Sequence, residues 1–137
     1  MPNFSTPADR ADVIRAVRSV ARRRRPVSVT IGEAALFGPD FTILVDLITN
    51  APSLHRLHAD LLVALALHAD IAIDVPQFAL AGYRPHVTVT STARANSGNR
   101  YTLGQLALVD MAPAGRSELR VVIATCELDH GDKPRLQ

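Results

Sequence analysis

Leu54, Leu57, Leu61 and Leu65 recur at helical spacing, and this stripe constrains the fold more than any other feature. A helix with one apolar stripe must bury it against another layer. The spacing predicts a long helix over 52–69, opened by the punctuation Asn50-Ala51-Pro52-Ser53. The segments before it carry the other periodicity. Val27, Val29 and Ile31 alternate with Ser28 and Thr30, the pattern of a half-buried strand. Residues 41–47 form a short apolar, β-branched run that reads as a second strand. Nearer the start, Thr6-Pro7-Ala8-Asp9 has the chemistry of a helix N-terminus: a capping threonine, proline at the first helical position, and an acid in the first turn. Val13, Ile14, Val17, Val20 and Ala21 continue it, and the helix should end in the arginine run before Pro26. Strands are expected over 83–90, 101–109 and 117–128, which gives the order α-β-β-α-β-β-β. Mainly antiparallel strands with helices packed on one face make an α+β fold.

The chain has 137 residues, enough for one domain with a real core. A single domain is expected over 1–128, with 129–137 as a polar tail. No apolar run approaches the ~18 residues of a membrane span, and the start lacks the order of a signal peptide. Cytoplasmic residence with no membrane association is therefore expected. The single cysteine, Cys126, excludes an internal disulfide and a cysteine-based metal cluster; it reads as a small core residue. A formal net charge of +2 does not announce a nucleic-acid binder. The densest basic patch, Arg22 to Arg25, closes the first helix, where cations complement the dipole. Its alternative reading is an RNA-binding patch.

Chemistry concentrates in Tyr83-Arg84-Pro85-His86-Val87-Thr88-Val89-Thr90. Alternation puts His86, Thr88 and Thr90 on one face of a strand, with neighbours on that face roughly 6.5–7 Å apart. An imidazole and a hydroxyl at that spacing can converge on a small anion such as a phosphate. Pro85 suits a strand start, where no ladder hydrogen bond need be donated. The other histidines invite less chemistry. His55 and His58 read as helix-surface residues, although their spacing could bring them near a shared ligand. His68 falls at the helix C-terminus. No acidic cluster completes a ligand set around them, so no metal is expected.

The stretch Tyr83-Arg84-Pro85-His86-Val87-Thr88-Val89 resembles the second His-x-Thr motif of the 2H phosphoesterase superfamily, which includes 2′-5′ RNA ligase-like proteins and 2′,3′-cyclic phosphodiesterases. Residues 27–38, with the Leu36-Phe37-Gly38 turn, resemble the family's strand ending in Phe-Gly. Residues 41–47 and the Leu54-His55-Arg56-Leu57-His58 helix resemble its central strand and helix, and 103–110 and 120–128 its closing strands. The resemblance implies a LigT-like fold of two lobes around a cleft, each lobe contributing one His-x-Thr or His-x-Ser. It implies a general base to activate water and a general acid to protonate the departing ribose oxygen. Imidazole, with an ordinary pKa of about 6.5, suits both tasks. It also implies that Thr88 holds a non-bridging phosphate oxygen, that Arg84 or Arg94 adds charge, and that no cofactor is needed.

The start of the chain departs from that pattern. Where the first motif should lie stands Pro2-Asn3-Phe4-Ser5, with asparagine in the histidine position. Asn3 can hydrogen-bond a phosphate but cannot exchange a proton near neutral pH, and Ser5 would be its hydroxyl partner. The N-terminal lobe is thus expected to be incomplete, the family's preceding strand and helix having no counterpart. Two readings follow. One is a phosphodiesterase acting on 2′,3′-cyclic or 2′-5′-linked nucleotides or RNA ends, with His55, His58, His68, His130 or a second subunit completing the site. The other is a catalytically impaired RNA- or nucleotide-binding module that keeps one half-site. A missing lobe would expose sheet edge and apolar surface, so a homodimer is expected.

Overall fold

The alternation of Val27, Val29 and Ile31 does produce a strand, and it runs further than the pattern indicates. The structure, a computed structural model, describes residues 3–49, 51–74 and 79–128. In chain order the elements are β1 (Phe4–Ser5), α1 (Arg10–Ala21), β2 (Val27–Phe37), β3 (Ile43–Thr49), α2 (Pro52–Ala69), β4 (Ala72–Ile73), β5 (His86–Thr88), β6 (Arg100–Leu103), β7 (Gln105–Asp110) and β8 (Val121–Glu127). β2 lies inside a four-stranded sheet of order β5-β3-β2-β6, antiparallel throughout. β1 pairs with β4, and β7 with β8, in two further antiparallel ladders. This is an α+β arrangement, as its periodicities require.

The leucine stripe of α2 meets the valine stripe of α1, and together they cover one face of β2. Val13, Val17 and Val20 of α1, Leu54, Leu57, Leu61 and Leu65 of α2, and Val27 and Val29 of β2 form one buried cluster, joined by Cys126 and Leu128. Ile48 of β3 packs against the same cluster. The helix side of the sheet is therefore the face of Val27, Val29 and Ile48. Between Ile31 and Ala34 a bulge gives β2 one extra residue, which switches the parity of its side chains beyond that point. Phe37 consequently emerges on the face away from the helices.

Several boundaries differ from the sequence expectation, each for a local reason. α1 begins at Arg10, with Asp9 rather than Thr6 at its cap. The Thr6 hydroxyl is taken instead by the Ala69 carbonyl and by the Ala8 N–H (3.1 Å), which ties the chain start to the end of α2. The run expected over 101–109 divides at Gly104: β6 joins the large sheet and β7 pairs with β8. Residues Ser117–Leu119 form a 3-10 turn, and the last strand starts only at Val121. α1 does stop at the arginine run, where Arg24 pairs with Asp60 of α2. The tail over 129–137 lies outside the described residues, among which no helix is long and apolar enough to cross a membrane.

Candidate functional site

The ladder between β3 and β5 assigns each motif side chain to a face. Leu47 pairs with His86, Asp46 with Val87 and Val45 with Thr88. Paired residues share a face. Since Ile48 points toward the helices, Leu47, Val45, His86 and Thr88 point away from them. Pro85 is buried, while Arg84, His86 and Thr88 are exposed. The Ile48 N–H donates to the Pro85 carbonyl (3.0 Å) and the Val89 N–H to the Leu44 carbonyl (3.0 Å), extending the pairing past both ends of β5. Thr90 does not join this row. Its hydroxyl closes a turn with Ala93, accepting from the Ala93 N–H at 3.0 Å.

The imidazole of His86 is held in a defined state. Its Nδ1 lies 2.8 Å from the Arg84 carbonyl oxygen. A carbonyl can only accept, so Nδ1 carries the proton and the neutral ring presents the Nε2 lone pair. Phe37 contacts the ring edge-on, with centroids 4.7 Å apart. The guanidinium of Arg84 lies over the same phenyl ring, 5.0 Å from its centroid. Val45, fully buried at 0% exposure, shares this face midway between the partners of Phe37 and His86 on β3. The aromatic contact closes diagonally across it. Arg84 has no carboxylate partner among the described residues. A cation, an imidazole lone pair and a hydroxyl thus stand on one open face, a set that can receive a phosphoryl group.

The remaining candidates lie elsewhere. Arg94 forks onto Asp46, with Nη2 to Oδ1 at 3.1 Å and Nε to Oδ2 at 3.3 Å. Asp46 is 3% exposed and shares the face of Val87, so this pair caps the side of the sheet opposite His86. The hydrogen bonds and charge of Asp46 push the Arg94 pKa above its ordinary value. Asn3 and Ser5 line a cavity of about 740 Å³ between the chain start, α1 and β7. His86 is not among its lining residues. Within that cavity's wall the Ser5 hydroxyl donates to Asp74 (2.9 Å).

The other described histidines do not share the His86 face. His58 is a correction to the sequence reading: it is buried at 0% exposure rather than lying on the helix surface. Its ring stacks on Tyr83, centroids 4.2 Å apart and planes at 13°, and its Nε2 accepts the Leu80 N–H at 2.9 Å. Burial most of all, and the neighbouring His55, lower its pKa. His55 meets the edge of Tyr83 at 5.3 Å, and burial pushes the Tyr83 phenol up. Tyr83 therefore anchors the start of the motif to α2 from the helix side, while His86 faces outward. The signal was available: His58 stands four residues after Leu54 and three before Leu61, within the buried stripe. His68 is exposed in the last turn of α2, and His130 lies outside the described residues. No group of three or more metal-ligating side chains occurs among the described residues.

A family model for the 2′-5′ RNA ligase superfamily matches residues 1–120. The chain belongs to that superfamily. No match was found among curated proteins or among solved structures. Membership in the 2′-5′ RNA ligase superfamily agrees with the antiparallel α+β fold, and the matched span contains His86 and Thr88. The matched span also contains Asn3, Ser5, Arg84 and Arg94, and it is consistent with phosphoesterase or ligase chemistry.

Proposed function

We propose that the protein is a phosphodiesterase of the 2H type, acting on 2′,3′-cyclic phosphates or 2′-5′ linkages of nucleotides or RNA ends. The observation that carries this reading is the Nδ1 hydrogen bond of His86, which leaves Nε2 as an open base beside Thr88 and Arg84. In the forward reaction Nε2 takes a proton from water as its oxygen attacks phosphorus. The P–O bond to one ribose oxygen breaks in line, that oxygen leaves as the alkoxide and is protonated by solvent, and a ribonucleoside 2′- or 3′-phosphate results. Thr88 donates to a non-bridging oxygen, and Arg84 balances the charge that gathers on the phosphoryl group. Arg94, held by Asp46 on the other face, is a structural partner in this account.

A second reading is a nucleotide-binding module that retains one half-site. It is favoured by the lack of any other described histidine on the His86 face. Turnover decides between them. With a 2′,3′-cyclic nucleotide, the wild-type protein should release the ribonucleoside monophosphate, and His86→Ala should lose that activity by at least about a hundredfold. Binding of a nucleoside 3′-phosphate without turnover between pH 5 and 9 would establish the binding module instead. We also propose that two copies associate, since β8 leaves Val121 and Val122 exposed and β5 and β6 end the large sheet with edges that no other described strand pairs.

A further inference from the structure

Beside the phosphoryl-binding face lies an exposed surface of a different chemistry. Phe37 and Ile43 are paired across β2 and β3, so their side chains share the face of His86 and Thr88. Ile43 is 46% exposed. The Arg84 guanidinium carbon lies over the Phe37 ring, and Arg84 is itself exposed. Both the imidazole and the guanidinium are within 5.0 Å of that one ring, measured to its centroid. A guanidinium held over a phenyl ring is partly pre-ordered, and its planar cation is able to stack a further π system.

We propose that Arg84, Phe37 and Ile43 form a stacking platform for the nucleobase of the same ligand whose phosphate meets His86 and Thr88. This rests on the phosphoryl-site reading and deepens it. The guanidinium can serve both parts: its plane stacks on the base, while N–H groups at its edge reach the phosphate. Phe37 and Ile43 carry no hydrogen-bonding side-chain group, so the platform reads the area of a base and not its edge. Purines stack over more area than pyrimidines. The platform therefore favours purine nucleotides over pyrimidine ones and does not separate adenine from guanine.

Calorimetric titration with four nucleoside 3′-phosphates and with base-free ribose 3-phosphate tests this. The nucleotides should bind about tenfold or more tighter than the base-free ligand, since base stacking contributes on that scale. Adenosine and guanosine forms should agree within about threefold, and both should exceed the pyrimidine forms. Arg84→Lys keeps the charge but loses the plane, and Ile43→Ala trims an exposed side chain remote from the core. Each should shrink the gap between nucleotide and base-free ligand: Ile43→Ala should leave base-free binding unchanged, whereas Arg84→Lys, whose side chain also meets the phosphate, should weaken nucleotide binding more than base-free binding. Equal binding of all five ligands would overturn the platform and leave the phosphoryl site standing. A gap unchanged in both variants, or a strong preference for one purine, would overturn it also. Failure of every ligand to bind would overturn the phosphoryl site and the platform together.

Discussion

At the scale of single residues, the two arginines of the motif region have opposite assignments, and they predict opposite phenotypes. Arg84 lies with His86 and Thr88, so Arg84→Ala should weaken binding of a nucleoside 3′-phosphate by about tenfold or more, the size of a charge-assisted hydrogen bond. Arg94 lies on the far face with buried Asp46. Arg94→Ala should leave that affinity unchanged and lower the thermal unfolding midpoint, because it strands a buried carboxylate. Calorimetry and a melting curve on the two variants check both outcomes. The difference was not legible in the sequence. Arg94 and Asp46 are separated by 48 positions, and nothing local marks a pairing across that distance. The facing of His86 and Thr88 was legible, since alternation along a strand depends only on the backbone.

Among the elements, α2 controls the segment that carries the motif. His58 of α2 receives the Leu80 N–H on Nε2, so its proton sits on Nδ1, a buried atom with no hydrogen-bond partner among the described residues. Leu80 itself holds a positive φ of 51°, a strained backbone that this contact helps to fix. The pKa of His58 in the folded chain lies below its ordinary 6.5. Below pH ~6.5 the unfolded chain takes up a proton that the folded chain refuses. Stability should therefore hold above that pH and fall as the solution is acidified toward the lower, folded value. Denaturant unfolding as a function of pH should show this acid limb in the wild type and a flatter one in His58→Phe, which keeps the stacking on Tyr83. The bulge in β2 gives a second prediction. A Cβ on Gly32 would lie 2.3 Å from Thr49 Cγ2 and 3.1 Å from the Leu47 carbonyl oxygen. Thr49 can rotate away, but the carbonyl cannot, so Gly32→Ala should cost about 1 kcal/mol in denaturant unfolding. Element types followed from periodicity, whereas the division of 101–109 at Gly104 did not, because both halves are strand and only their partners differ.

For the whole molecule, one sheet separates two sets of side chains by its faces. The helix side holds the core, Tyr83 and the Asp46–Arg94 pair; the opposite side presents Arg84, His86, Thr88 and Phe37. Truncation in the core should act on stability alone: Leu57→Ala, at a site 2% exposed, should cost about 2–5 kcal/mol. Association of two copies predicts a dimer at micromolar concentration in sedimentation, and a stable monomer would contradict it. The α+β class and its helix-covered face were readable from the stripes on 10–21 and 52–69. The pairing of β1 with β4 was not, since each strand has only two residues. The account depends on His86 offering Nε2 to a phosphoryl group while Nδ1 stays bound to the Arg84 carbonyl. Long-range ¹H–¹⁵N correlation spectra of the imidazoles, recorded while a nucleoside 3′-phosphate is added, read both nitrogens directly. The His86 Nε2 resonance should move to saturation with Nδ1 protonated throughout, and the resonances of buried His58 should stay in place. A His86 ring whose signals do not respond at saturating ligand would contradict the account.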